Sequence, residues 1–203
     1  MINKAHASHP SSSPIRSGFT IVELLIVIVV IAILAAISII AYTGIQGRAK
    51  DTQRLQDMST IVRALEVYKT VNGNYPYAVP TAGGGGFEVS TNGTTATNFL
   101  SALKSASTGL SNVPVDPTNA VTAIGTGNWL APSRSSGHFT YFYYRYNPGE
   151  YGCATERGNY YVLGITRMDG IALDSNHPQN PGWACPSRNW ANTGAWVTGR
   201  FAN

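Results

Sequence analysis

Hydrophobic and polar positions along this chain fall into three regimes. Between Leu24 and Gly47 there is no charged side chain, and Ser38 is the first polar interruption after Glu23. A soluble core helix would show polar residues at a 3.6-residue period. An unbroken apolar run of this length instead matches the ~20 residues that cross a bilayer core. Residues 19–47 are therefore expected to form a membrane-spanning helix. From Arg48 the pattern turns amphipathic: Leu55, Met58, Ile61, Val62, Leu65 and Tyr68 recur at three- to four-residue spacing, with Arg54, Asp57, Arg63, Glu66 and Lys69 between them. Asn72-Gly73 reads as a C-cap, so residues 48–73 form a second helical half. One helix from Phe19 to Val71 would be about 80 Å long at ~1.5 Å per residue.

Residues 74–203 read as a separate globular region. His138 to Tyr146 and Asn159 to Thr166 are aromatic and β-branched runs bounded by Pro and Gly, which predicts antiparallel strands. Asn98 to Leu110 suggests a short helix, and Ala82 to Gly86 a flexible connector without the Gly-Lys-Ser/Thr ending of a phosphate loop. The expected fold class is α+β, with a small antiparallel sheet laid on the apolar stripe of the long helix.

Composition narrows the function. The chain has 203 residues with 14 Lys/Arg and 10 Asp/Glu, a net charge of +4. Residues 72–203 hold seven Lys/Arg against six Asp/Glu, so no basic stripe exists to neutralise phosphates and a nucleic-acid partner is disfavoured. His138 and His177 stand in separate segments, and there is no Gly-x-Ser-x-Gly, His-Glu-x-x-His or paired acid, so no enzyme, cofactor or metal is expected. Asp169-Gly170 and Asp174 lack EF-hand spacing and read as a turn. Asn92-Gly93-Thr94 is a formal glycosylation sequon.

The segment before the apolar run carries Lys4 and Arg16, no acid, and a small residue, Gly18, at its end. A secretory signal places its small-residue cleavage site after the apolar region, not before it. The positive leader favours a cytoplasmic N-terminus and an external C-terminal region. Glu23 is anomalous, because a carboxylate near the bilayer edge is costly unless it is paired or reaches the interface.

Gly18-Phe19-Thr20-Ile21-Val22-Glu23-Leu24-Leu25, continued by Ile33-Leu34-Ala35-Ala36-Ile37 and Ala41-Tyr42, resembles the cleavage and methylation motif of type IV pilins and the pseudopilins of type II secretion. Asn72-Gly73-Asn74-Tyr75-Pro76 and Val113-Pro114-Val115-Asp116-Pro117 extend the resemblance. It implies a pilin-like fold made of a leader (1–18), a transmembrane and filament-core helix (19–47), an amphipathic half (48–73) and an extracellular domain (74–203). It also implies cleavage after Gly18 by a prepilin peptidase, N-methylation of Phe19, and pairing of Glu23 with the α-amino group of a neighbouring subunit. Mutual pairing offsets the penalty each charge would carry alone in a dry bundle, so Glu23 would act as a registry device. Many relatives place Gly and Pro where this chain has Ala32 and Ile40, so any unwinding is expected at Thr43 to Gly47 instead.

Cys153 and Cys185 both fall in the region expected outside the cell, where a disulfide is the default. It would close a loop of about 32 residues, worth about 3–4 kcal/mol. The resemblance implies a structural subunit of a type IV pilus, stored in the cytoplasmic membrane and polymerised with other pilin subunits by an inner-membrane assembly platform. One alternative is a pseudopilin of a type II secretion system. Another is a membrane-anchored carbohydrate-binding module using Trp129, Trp183, Trp190 and Trp196, although core packing also explains those rings.

Overall fold

Periodicity governs the longest element, α1 (Ile21–Asn72). The computed structural model describes residues 18–81, 85–90, 99–120, 132–134, 137–172 and 175–203. Thr43 to Gly47 is helical, so the expected unwinding there is absent. Gly73 ends the helix with φ +77°, and its N–H reaches the Lys69 carbonyl at 2.8 Å. Left-handed backbone is cheap only for glycine, which is why the helix stops here. The chain forms two compact units that meet between Tyr42 and Thr43.

In the second unit, Met58, Ile61 and Leu65 are fully buried and Ala64 nearly so, which realises the predicted stripe. They pack on a four-stranded antiparallel sheet of order β1 (Glu88–Val89), β2 (Tyr141–Tyr146), β3 (Tyr160–Ile165) and β6 (Trp196–Phe201). Tyr141 pairs with Ile165 and Tyr146 with Tyr160, so strand alternation sends Tyr141, Tyr143, Tyr161 and Leu163 toward α1.

The opposite face is also covered. Phe142, Tyr146, Tyr160, Val162 and Val197 pack with Phe87, Trp190, Cys153 and Cys185. The covering segment includes a small hairpin, β4 (Ala184–Cys185) and β5 (Arg188–Asn189). Cys153 and Cys185 are disulfide-bonded with Cα atoms 5.0 Å apart. Both faces being dry explains why every residue of β3 is buried. The short helix expected over 98–110 reduces to one 3₁₀ turn, Ser101–Leu103. Leu100 at φ 47° and Gly109 at φ 71° turn the chain too sharply for a longer helix. The sequon and most of the glycine tract lie outside the described residues.

One side chain overturns the simple amphipathic reading. Arg54, expected on the polar face, is fully buried. Its Nε and Nη2 donate to the Asp116 carboxylate at 2.8 and 3.1 Å, and Nη1 donates to Asp51 at 2.6 Å and Asp169 at 2.7 Å. The carboxylates are themselves held: Asp51 accepts the N–H groups of Asp169 and Gly170, and Asp116 accepts those of Thr118 and Asn119. Two loops far apart in sequence, at Asp116 and at Asp169, are thereby fixed to one turn of α1. Despite burial, which opposes the charged form, these carboxylates raise the Arg54 pKa above its already high value.

Arg54→Met should destabilise the fold by about 3–5 kcal/mol, because it strands buried carboxylates. Urea unfolding of the full chain in micelles, followed by aromatic near-UV CD, measures this; a loss below about 1 kcal/mol would remove the hub from its structural role. Asp57, one helical turn on, is half-buried and accepts the Tyr141 hydroxyl at 2.7 Å. Burial raises its pKa above the ordinary 3.8, the Tyr141 bond lowers it, and nearby Asp116 adds to the rise. The folded chain therefore holds this proton more tightly than the unfolded chain, so the Asp57 contribution to stability falls as pH rises through its folded value. Asp57→Asn should be at least as stable as the parent at pH 7, with its advantage shrinking toward pH 4 in the same assay.

Candidate functional site

The first unit presents a helix with no sheltered side. Ile21 is 84% exposed, and even Val29 and Val30, the least exposed of its large apolar residues, reach 48%. Ser38 donates to the Leu34 carbonyl at 2.7 Å, so its hydroxyl is satisfied within the helix. A helix apolar on all sides belongs in a bilayer or at the centre of a bundle. Residues of α1 are long and apolar enough to cross a membrane.

Gly18 and Phe19 precede the helix in non-helical backbone, and Phe19 is 91% exposed. Thr20 then caps the helix. Its Oγ1 accepts the Glu23 N–H at 3.2 Å, and Glu23 Oε2 accepts both the Thr20 N–H and the Thr20 hydroxyl at 2.8 Å. This is a reciprocal capping box: the Thr-x-x-Glu spacing places each side chain on the other's backbone donor. The helix N-terminus also favours a negative charge in its first turn. Glu23 is therefore not stranded even in the single chain. Both contacts use Oε2, and Oε1 has no partner among the described residues.

The remaining sequence candidates are dispersed. His138 is buried, and its carbonyl accepts the Thr166 hydroxyl. His177 Nδ1 accepts the Gln179 N–H at 3.1 Å. Asp169 is bound to Arg54 rather than poised for a cation, and Asp174 lies outside the described residues. No group of three or more His, Cys, Asp or Glu suited to a metal occurs among the described residues. Trp190 is fully buried and Trp196 is 9% exposed, while Trp183 packs on Tyr160 and Phe201. These rings are core, which removes the basis given for sugar stacking by tryptophan; Trp129 lies outside the described residues. Sequence reasoning missed the Thr20 cap, although its three-residue spacing from Glu23 was visible.

Residues 14–39 match the prokaryotic N-terminal methylation motif. Over 61 residues, 30% of this chain, it is 34% identical to type II secretion system core protein G of Aeromonas hydrophila. Over the same length it is 38% identical to core protein G of Pseudomonas aeruginosa and 34% identical to that of Escherichia coli. The chain spans 43% of the first two relatives and 42% of the third, less than half their length. No solved structure matches it significantly. The exposed apolar helix, its Thr20–Glu23 cap and the matched residues converge: the chain carries the prepilin-type N-terminal methylation motif, in the company of type II secretion core protein G.

Proposed function

We propose that this protein is a structural subunit of a type IV pilus, made as a membrane-anchored precursor and polymerised into a surface filament. The observation that carries this reading is a capped helix whose first half, residues 21–39, is apolar and exposed on every face and holds a single acidic residue, Glu23, in its first turn. Such a surface is stable only in lipid or among like helices, so moving from the first to the second keeps it out of water throughout. A prepilin peptidase cuts between Gly18 and Phe19 on the cytoplasmic side, and Phe19 is then N-methylated. The apolar helix holds the subunit in the cytoplasmic membrane with residues 74–203 outside. An assembly platform then passes it to the growing polymer.

Glu23 serves twice in this scheme. In the stored subunit Oε2 closes the subunit's own first turn, while Oε1 keeps its acceptor capacity. A neighbour's Phe19 ammonium then adds at that free oxygen, and a subunit out of register leaves one charge unpaired. A second reading, a pseudopilin of a type II secretion system, is favoured by the relatives themselves, which are type II secretion system core protein G. Deleting the chain separates the two: sheared long filaments disappear in the first case, and exported proteins accumulate in the periplasm in the second.

Replacing Gly18 with a bulky residue should leave full-length precursor in the membrane, as mass spectrometry of the N-terminus reads directly. A mature N-terminus near Ala35-Ala36 would refute the prepilin scheme. Glu23→Ala should be cleaved normally yet give almost no sheared filament, since an unpaired buried ammonium costs about 3–5 kcal/mol. Glu23→Gln keeps much of the cap and should leave a residual yield. Thr20→Val should lose only about 1 kcal/mol of cap stability and assemble far better than Glu23→Ala. Equal defects in Thr20→Val and Glu23→Ala would mean that capping, not charge pairing, is the role of Glu23.

A further inference from the structure

The outer face of the sheet carries a small cavity, of 180 Å³, at the base of the disulfide-linked hairpin. It is lined by Phe87, Tyr144, Tyr146 and Tyr151 with Glu150 and Arg188, completed by Gly85 and Gly86, and its surface is mostly polar. Tyr144 and Tyr146 lie with centroids 4.5 Å apart, and Tyr151 meets Tyr146 edge-on at 5.6 Å. The volume is below the ~300–1,000 Å³ of drug-sized ligand sites, which suits a single ring.

The chain spends conformational energy to place Tyr151 here. Its φ is 53°, a left-handed value that costs a bulky residue energy, and the residue is nevertheless 40% exposed. The surrounding structure holds it there. The Tyr151 carbonyl accepts the Ser187 N–H at 3.0 Å, and the Cys153–Cys185 bond ties the same turn to the hairpin two residues later. The ring packs edge-on against Tyr146 and, at 5.3 Å, against Trp190, and the residue also lines the cavity.

Charge selects the ligand. Arg188 already lies over the Tyr151 and Trp190 rings at 5.2 and 5.6 Å, so a second cation would meet like charge. Glu150 lines the same cavity and disfavours an anion. Its Oε2 accepts the Asn147 N–H, leaving Oε1 open among the described residues. A neutral ligand satisfies both groups if it offers hydroxyls to accept from the guanidinium and donate to the carboxylate, and a C–H face to lie on tyrosine. We propose that this cavity is a binding site for one neutral pyranose unit, with Tyr151 as the stacking platform and Glu150 and Arg188 as the hydroxyl-reading pair. The proposal is independent of whether the chain polymerises into a pilus or a secretion filament.

The test is saturation-transfer NMR on the full chain in a zwitterionic, sugar-free detergent. The probes are the methyl glycosides of glucose, galactose, mannose and N-acetylglucosamine, with tetramethylammonium and acetate as charged comparators. At least one glycoside should receive saturation at its ring C–H protons, and neither comparator should displace it. Tyr151→Asn removes the ring yet tolerates left-handed backbone, and should cut the signal at least tenfold. Glu150→Gln and Arg188→Gln should each cut it at least threefold with unchanged near-UV CD; if Tyr151→Asn loses its aromatic CD, these two variants decide the matter. No transfer to any glycoside, transfer that survives Glu150→Gln and Arg188→Gln, or displacement by tetramethylammonium would overturn the proposal.

Discussion

An apolar helix without a polar face has no stable place in water, and every other feature of this chain is arranged around that constraint. Burying a single Leu or Ile side chain is worth about 1.5–3 kcal/mol, and from Ile21 to Ile39 the exposed apolar residues follow almost without a break. A compact domain cannot absorb such a surface, because its own core is filled by the second half of α1. The helix is consequently an interface waiting for a solvent, lipid or protein, that matches it. Within the helix the only charge near that surface is Glu23, and its position in the first turn is what makes it tolerable: Thr20 and the helix dipole receive it before any partner does.

The same helix obeys different rules after Arg48. There the stripe is dry on one side and the opposite side is wet, and Arg54 is the pivot. A buried guanidinium is unstable alone, and three carboxylates from helix and loops are unstable alone; together they fix geometry as much as energy. The loops at Asp116 and Asp169 are also anchored by Val113 and Met168 in the core, and directional charge pairing adds what non-directional burial cannot: it specifies their register on α1. The disulfide plays the corresponding part on the far face, tying the Tyr151 turn to the hairpin that covers Tyr146 and Tyr160.

Local signals carried most of what could be read from the sequence. The apolar run, the 58–61–65 stripe, the Gly73 stop and the strands at 141–146 and 160–165 are all written in residues adjacent in the chain. Arg54 was misread because a charge was assumed to face water, although Asp51, Arg54, Met58, Ile61 and Leu65 fall on one three- and four-residue spacing. Its partners lie 62 and 115 positions away, beyond any window of pattern analysis. Strand β6 hides for a related reason. Gly199 interrupts its aromatic and β-branched pattern, yet a Cβ there would sit 2.4 Å from the Trp183 ring, so glycine is required by a neighbour that only the fold reveals.

Tyrosine, rather than leucine or phenylalanine, dominates the sheet, and this choice links stability to surface chemistry. On the helix side three hydroxyls are given work, Tyr141 to Asp57, Tyr143 to the Pro76 carbonyl and Tyr75 to Glu66, while the buried Tyr161 hydroxyl finds no partner among the described residues. Burial raises the pKa of Tyr75, Tyr141 and Tyr143 above their ordinary value, so these hydroxyls stay neutral donors well beyond any physiological pH. A domain with few charges thus acquires directional bonds whose donors are neutral. On the outer face the same residue type, turned toward solvent at Tyr151, presents an apolar ring with a polar tip. A tyrosine core can therefore continue into a recognition surface with no change of composition, since one side chain packs like a hydrophobe and bonds like an alcohol.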